Sequence, residues 1–254
     1  WGKELSMTLP EMIFGESKLE VQNESLGARF EFNAYDALCG CKHESDVKVS
    51  MASKWKDKSE IQVPEGYAFD WTYGSTYRGS LHKMTSNVKQ IEGPHVTDQK
   101  IDFESLKPRP GDEILWSADV RLFEDELHDH GTSQLTVRIR VTNNYFYVLQ
   151  RVWIRVDGVI FRLRETRLHH RFAEQHALRM FSEKEGVYQA VVDSCTPKQL
   201  RESILDDPNQ ISELLTVKSE VTEKFTFVSA APSSEVSPAV DPAEEAFKRK
   251  FGNA

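Results

Sequence analysis

Apolar and polar residues alternate without exception over residues 135–142, with Leu, Val, Ile and Val set between Thr and Arg. A period of two places successive side chains on opposite faces, so this segment is predicted to be a half-buried strand. Asn143-Asn144 follows and can supply the positive φ values of a tight hairpin, which predicts a second strand over Tyr145–Val156. Asp157-Gly158 is a strong hairpin signal and leads into a third strand over residues 159–164. The centre of the chain is therefore predicted to be an antiparallel meander.

The register of the two hairpins decides which side chains share a face of the meander. If both loops have two residues, Thr142 lies opposite Tyr145 and Val156 lies opposite Val159. One face is then apolar. The other face gathers arginines interleaved with two aromatic residues, namely Arg138, Arg140, Arg151, Arg155, Arg162, Arg164, Tyr147 and Trp153. A slip of one residue in either hairpin would move one strand's side chains to the other face.

The remaining elements are predicted from the same periodicities and from capping residues. In chain order they are a strand over Ala28–Asn33, a short helix over 33–38, a strand over 71–77, a helix over 174–183, helices after Thr196-Pro197 and Asp207-Pro208 that reach Leu205 and Leu215, and a closing strand over 221–228. The fold class is α+β, a single domain over 1–228 built on an antiparallel β-sheet, with helices mainly in the C-terminal third. Residues 229–254 are rich in Ala, Pro, Ser and Glu and are predicted to be a disordered tail.

Composition narrows the classes of partner. Of 254 residues, 39% are hydrophobic and 28% charged, and the net charge of -8 describes an acidic surface. Such a chain is a poor candidate for non-specific nucleic-acid binding, and no apolar run approaches the length of a membrane span. Three cysteines do not make a disulfide framework and fit a reducing compartment, so we expect a cytoplasmic protein, with the nucleus as a second location.

Four carboxylates and two histidines crowd the stretch from Val120 to Gly131. This stretch fits a solvated loop with capping side chains, a surface that recognises a partner, or a metal site. On a strand, His128 and His130 would point to the same side, as two-histidine metal sites in β-rich folds require. The residues that would complete such a site are Glu124, Asp125, His169 and His170. A β-rich, metal-dependent enzyme is therefore the alternative function, although no H-E-x-x-H motif is present.

Six motifs occur in one order between Leu9 and His169. They are Leu9-Pro-Glu-Met-Ile-Phe-Gly15, Phe32-Asn-Ala-Tyr-Asp-Ala-Leu38, Phe69-Asp-Trp-Thr-Tyr73, the block from Leu122 to Gly131, Val156-Asp-Gly-Val159 and Thr166-Arg-Leu-His169. Together they resemble the TIPRL family of TOR-pathway regulators, which bind the catalytic subunits of type 2A serine/threonine phosphatases. The chain opens at Trp1, without the N-terminal segment that members usually carry. The resemblance implies a regulator that is not an enzyme and has no cofactor, with an alpha-four-type protein as a further partner bound through the phosphatase.

The resemblance also implies a partner surface. Positions that match the family's motifs or lie beside them are Asp36, Ile101, Asp102, Leu163 and Glu165. Asp36 equally suits a helix cap, and Ile101 is expected to be exposed in a polar loop. The arginine face has three interpretations: arginines paired with carboxylates of the same chain, a binding surface for a carboxylate-terminated peptide, or a platform for single-stranded nucleic acid, which the net charge disfavours. The resemblance favours the acidic, aromatic C-terminal tail of the phosphatase, with Trp153 and the arginines as its groove.

Overall fold

The computed structural model describes residues 1–23, 27–41, 47–51, 69–83, 89–107, 113–201 and 203–229. Within them the strands are β1 (Met12–Ile13), β2 (Lys18–Asn23), β3 (Ala28–Asn33), β4 (Lys48–Ser50), β5 (Phe69–Trp71), β6 (Ser80–Lys83), β7 (Lys89–Val96), β8 (Ile114–Asp125), β9 (Gly131–Thr142), β10 (Tyr145–Val156), β11 (Ile160–Arg171), β12 (His176–Val187) and β13 (Thr216–Ser229). The helices are α1 (Gly2–Leu5), α2 (Ala34–Cys39), α3 (Tyr188–Ser194), α4 (Pro197–Arg201) and α5 (Pro208–Ile211), with 3-10 turns at Glu104–Leu106, Leu127–Asp129 and Ile204–Asp206. The predicted tail lies outside the described residues from 230 onward.

Eight strands form the main sheet, in the order β1-β8-β9-β10-β11-β12-β13-β7, and every neighbouring pair is antiparallel. A smaller sheet, β2-β3-β6, packs against one side of it, which we call the inner face, and β4 pairs with β5. At this contact the ring of Phe30 lies 5.4 Å from that of Phe225. The predicted α+β class and antiparallel sheet are confirmed. No helix among the described residues combines the length and the apolar character that crossing a bilayer requires.

The first predicted hairpin is correct in bounds and register. β10 runs from Tyr145 to Val156, and Val141 pairs with Phe146 across the turn. The hydroxyl of Thr142 accepts hydrogen bonds from the backbone N–H groups of Asn144 and Tyr145, both at 3.2 Å. A local side-chain cap therefore fixes the two-residue turn that Asn143-Asn144 predicted.

The second predicted hairpin is one residue out of register. Val156 pairs with Ile160, not Val159, so the loop has three residues, and Gly158 has φ 72. Because the side-chain period is two, the slip moves every residue of β11 to the face opposite the predicted one. Arg162 lies opposite Ile154 on the inner face, while Phe161 and Leu163 lie on the other face, which we call the outer face.

The predicted helix over 174–183 is wrong, because the segment is strand β12. Ala177 and Phe181 point to the inner face, where Ala177 joins the main core, whereas Leu178 and Met180 pack under residues 97–107 on the outer face. A strand buried on both faces shows apolar residues at consecutive positions. That spacing is not distinguishable from a buried helix by periodicity alone.

Of the remaining predicted strands and helices, some are confirmed and others differ from the structure in their bounds. The strand Ala28–Asn33 is confirmed, and so is the following helix, whose cap is Asn33: its side chain accepts from the N–H of Asp36 at 2.8 Å. The strand over 71–77 ends at Trp71, because Tyr73 has φ 50. The helices after Thr196 and Asp207 exist but stop at Arg201 and Ile211, and α3 was not predicted. The closing strand is confirmed and begins earlier, at Thr216.

Candidate partner-binding site

On the outer face of the main sheet, two groups of residues from other parts of the described chain cover the strands, and two adjoining grooves lie between them. At one end Ile101 and Leu106 pack on Leu178 and Met180. At the other end the C-terminal helical segment packs on the strands through one hydrophobic cluster, which joins residues of the sheet (Trp153, Phe161, Leu163) to residues of the segment (Val191, Ile204, Ile211, Leu215). β8, β9 and β10 floor the grooves between these coverings.

The grooves adjoin, since both are lined by Asp119 and Arg138. One has a volume of about 410 Å³, and we call it the Arg151 groove; its lining is Asp119, Arg121, Gln134, Thr136, Arg138, Arg151, Trp153, Asp206, Asp207, Pro208 and Asn209. The other has a volume of about 600 Å³, and we call it the Arg140 groove; its lining is Ile114, Ser117, Ala118, Asp119, Arg138, Ile139, Arg140, Tyr147 and Leu149. The first is polar, and the second combines cationic and apolar surface.

Most of the outer-face arginines have a carboxylate partner within the chain. Arg138 Nε lies 2.8 Å from Asp119 Oδ2, and Arg155 Nε lies 2.8 Å from Asp157 Oδ1. Arg155 also pairs with Asp206. Internal pairing, the first of the three interpretations of the arginine face, is therefore confirmed for these side chains.

Arg151 and Glu165 form the most buried of these pairs. The Nε and Nη2 groups of Arg151 donate to Glu165 Oε1 at 2.9 and 2.6 Å, and Arg167 contacts the other carboxylate oxygen. The Glu165 side chain is only 1% exposed, and it holds Arg151 in place from the neighbouring strand β11 on the same face. Its role in partner contact stays a prediction.

Arg162 and Arg164 do not belong to the predicted arginine face. The slip at the second hairpin places them on the inner face, where Arg162 Nη2 lies 2.7 Å from Glu185 and Arg164 Nη2 lies 2.7 Å from Glu183. Both pairs join residues that stand opposite each other on β11 and β12. Arg162 was predicted as a partner-binding residue on the arginine face, but it is buried on the inner face and does not line the two grooves described above.

Arg140 is the exception among the outer-face arginines named above. Its Nη1 donates to the carbonyl oxygen of Leu106 at 3.3 Å. No carboxylate in the described part of the chain lies within salt-bridge distance of it. Tyr147 and Leu149 lie beside it in the Arg140 groove, so this groove offers an uncompensated positive charge next to apolar surface.

The residues implied by the family resemblance fall in three places. Leu163 and Trp153 are buried beneath the C-terminal helical segment, and Ile101 is buried at the opposite covering, so the expected exposure of Ile101 is wrong. Asp102 is exposed, and its Oδ1 accepts from the N–H of Ser105 at 3.2 Å. These side chains shape the walls of the outer face.

Asp36 lies apart from them, on α2 beside the smaller sheet. Its carboxylate accepts from the side-chain amide of Asn33 at 3.1 Å and from the hydroxyl of Ser80. It holds α2 against β6, while Asn33 is the N-cap. The structure does not bring Asp36 to the outer face.

The stretch from Val120 to Gly131 contains the end of β8 and the turn that joins β8 to β9. Leu127, His128 and Asp129 all have left-handed backbone, with φ values of 50, 56 and 67. Asp125 holds this turn, since its Oδ1 accepts from the N–H of Leu127 at 2.6 Å and its Oδ2 from that of Glu11 at 2.9 Å. Burial raises the pKa of Asp125 above its usual range.

The turn does not assemble the alternative metal site. His128 and His130 do not lie on a strand, and His128 Nε2 lies 3.8 Å from Asp70 Oδ2. Across the ranges that the structure describes, no three His, Cys, Asp or Glu side chains are grouped so that they could hold a metal ion. The premise that placed both imidazoles on one side of a strand is therefore wrong.

Comparison with known proteins identifies the family. The TIP41-like family model matches residues 12–192. The chain belongs to the TIP41-like family. It is 37% identical to the TIP41-like protein of Homo sapiens over 228 residues, covering 87% of this chain and 78% of that protein. It is 37% identical to the TIP41-like protein of Dictyostelium discoideum over 236 residues, covering 89% and 83%. It is 32% identical to the type 2A phosphatase activator tip41 of Schizosaccharomyces pombe over 224 residues, covering 86% and 85%.

The residues that β8 contributes to the two grooves of this TIP41-like chain were not predicted from the sequence. Asp119 and Arg121 line the Arg151 groove, and Ile114 lines the Arg140 groove; all three lie on β8, whose pairing irregularities at Ile114/Trp116 and Arg121/Phe123 break the alternation. A strand could have been predicted here, because Ser117, Asp119 and Arg121 alternate with Ala118 and Val120, which is the period of a strand.

Proposed function

We propose that this chain binds the catalytic subunit of a type 2A-like serine/threonine phosphatase and regulates its activity without being an enzyme itself. Membership of the TIP41-like family supports the proposal, as does the relative in Schizosaccharomyces pombe that is named a type 2A phosphatase activator. The observation that carries it is Arg140, whose guanidinium has no carboxylate partner among the described residues and lies in an open groove.

The Arg140 groove fits the chemistry of an acidic, aromatic chain end. A guanidinium is a planar fork that binds a carboxylate through two parallel hydrogen bonds. Ile114, Tyr147 and Leu149 provide apolar surface for an aromatic side chain next to it. The C-terminal tail of the phosphatase catalytic subunit is the segment that we propose for this groove.

Binding would act by steric and allosteric means. A tail held on the outer face keeps the catalytic subunit close to this chain and shifts the pool that is free to join scaffold and regulatory subunits. In this proposal the protein works in TOR signalling in the cytoplasm and the nucleus, with an alpha-four-type protein in a ternary complex through the phosphatase.

The test is a binding assay with purified catalytic subunit, followed by a phosphatase assay on the bound fraction. We expect stoichiometric binding and altered activity. A folded chain that binds no catalytic subunit would overturn the proposed function. Equal binding of a catalytic subunit that lacks its tail would overturn only the tail as the ligand of the groove.

Arg140→Glu tests the groove directly. Loss of a charge-assisted contact and gain of a repulsive one should weaken binding of a tail peptide about 10- to 100-fold. Arg29→Glu is the matched control, because Arg29 lies on β3 of the smaller sheet and its ion pairs with described residues are long, at 4.0 Å to Glu20 and 3.7 Å to Glu31. Equal affinity of both variants for the peptide would contradict the assignment.

A further inference from the structure

The two edges of the main sheet are built differently. β7 carries Pro94, which has no N–H to offer, and its pairing with β13 shifts register between Lys224 and Thr226. At the other edge, β1 covers only Phe123 and Glu124 of β8. From Ile114 to Arg121 the outward edge of β8 pairs with no strand of the described ranges.

This free edge is also apolar. Ile114, Leu115 and Trp116 are 52%, 53% and 49% exposed. β8 contains no proline, and its free part is eight residues long, from Ile114 to Arg121. A row of N–H and C=O groups without a strand partner is a template for strand addition, so an extended backbone is the occupant that suits this edge.

We propose that the free edge of β8 pairs with the same edge of a second copy of this chain, antiparallel about Ala118. The product is a two-fold dimer in which the main sheets of both copies are continuous. The proposal does not rest on the proposed function.

The register follows from which side chains share a face. Trp116, Ala118 and Val120 pair with Val141, Ile139 and Val137, so all three lie on the inner-face side of β8. Pairing about Ala118 sets each Trp116 opposite Val120 of the second copy. Aromatic and β-branched residues are favourable cross-strand partners, and this pair forms twice. Ala118 opposite its own copy is small enough for close approach.

Charges on the other face of β8 agree with this register. Asp119 stands opposite Ser117 of the second copy, and Asp119 and Arg121 already pair within their own chain with Arg138 and Glu124. Strand addition therefore buries no unpaired charge.

Pairing the two β8 edges about a neighbouring residue gives less favourable cross-strand contacts. Centring on Asp119 sets two carboxylates opposite each other, and centring on Ser117 sets Trp116 opposite Ala118, which loses both aromatic pairs. Centring on Val120 requires the edge at Leu122, whose carbonyl oxygen already accepts from the N–H of Phe14 at 3.0 Å.

Sedimentation of the full chain over a concentration series tests the dimer. A single strand pair is a small interface, so we expect a reversible shift from monomer to dimer with a dissociation constant of ~10–100 µM. A protein that stays monomeric well above that range overturns the proposal and leaves the edge to a strand from another protein.

Lysine variants test the surface. Val120→Lys and Trp116→Lys should each weaken the dimer at least about tenfold, because a lysine at the edge opposes strand addition. Val217→Lys is the control, since Val217 is exposed and paired with Lys184, but lies on β13, five strands away from β8 in the main sheet. A dimer that is equally strong in all three variants places the interface elsewhere and overturns the proposal.

Cross-linking tests the register. In a Cys39→Ser background, which removes the exposed thiol, Ala118→Cys should oxidise to a covalent dimer, because directly opposed Cα atoms lie within disulfide reach. Ser117→Cys, displaced from its own copy by two residues, should cross-link at least about tenfold more slowly. Equal rates, or a faster Ser117→Cys dimer, would contradict the register about Ala118.

Discussion

Arg151 and Glu165 stand directly opposite each other on β10 and β11, and two N–H groups of the arginine donate to one carboxylate oxygen at 2.9 and 2.6 Å. Arg167 binds the second oxygen, so one nearly inaccessible carboxylate holds two guanidinium groups. This cluster lies between the two coverings of the outer face and fixes the floor on which the grooves rest.

Glu165→Gln should therefore destabilise the fold. It leaves two guanidinium groups facing a neutral amide in a buried place, which costs about 3–5 kcal/mol when a buried pair is broken. Urea denaturation measures the loss. The control is Asp119→Asn, which breaks the Arg138 pair where both side chains are more than half exposed (55% and 56%) and should cost less than about 1 kcal/mol. Similar losses in both variants would contradict the assigned role of burial.

Arg162→Glu tests the register of the second hairpin. In the observed register the new carboxylate faces Glu185 across β11 and β12, and we expect about 3–5 kcal/mol of destabilisation. Adding Glu185→Arg should restore part of that loss, because the swapped charges attract again. In the register predicted from sequence Arg162 lies on the outer face, so the exchange would rescue nothing.

Gly131→Ala should be among the most damaging small substitutions. Gly131 has φ 147, and an added Cβ would lie 1.9 Å from the carbonyl oxygen of Arg155, which is backbone and not free to move away. We expect at least ~3 kcal/mol of destabilisation, measured by thermal unfolding, or no soluble protein. Gly158→Ala is the control: its φ of 72 is strained for alanine, but nothing lies within 4 Å of the new Cβ, so the cost should stay near ~1–2 kcal/mol.

The lowered pKa of His169 predicts that the fold loses stability in mild acid. Burial, aided by Arg171, His170 and His176, lowers its pKa from 6.5 to about 4. A histidine whose pKa is lower in the folded state contributes full stability above pH 6.5 and loses it as the pH falls through the window between 6.5 and about 4. The total is about 3 kcal/mol, from 1.36 kcal/mol for each pKa unit.

His169→Gln should flatten the pH dependence of the free energy of unfolding across that window. His95→Gln is the matched control, since His95 is exposed on β7. Urea unfolding at a series of pH values distinguishes them. An unchanged slope in His169→Gln would assign the acid sensitivity to another group.

The set of arginines on the outer face was only partly predictable from the sequence. The alternation in β9 and β10 correctly predicted Arg138, Arg140, Arg151 and Trp153 on one face. It could not assign Arg162, because Asp157-Gly158 serves a loop of two or three residues equally well. The choice depends on β12, which pairs with β11, and on the C-terminal helical segment, which covers β11 from farther along the chain.

The sequence by itself determined the elements whose signals are local. The strand β10, the two-residue turn before it and the short helix α2 follow from a period of two and from turn signals close in sequence, whereas the N-cap of α2 is Asn33 and not Asp36. Only the tertiary structure decided the three-residue loop after β10, the strand character of β12, the burial of Ile101 and Glu165, and the partner of each arginine. These depend on which parts of the chain cover the sheet. A strand that is buried on both faces lacks the alternation of apolar and polar residues by which a strand is predicted from sequence.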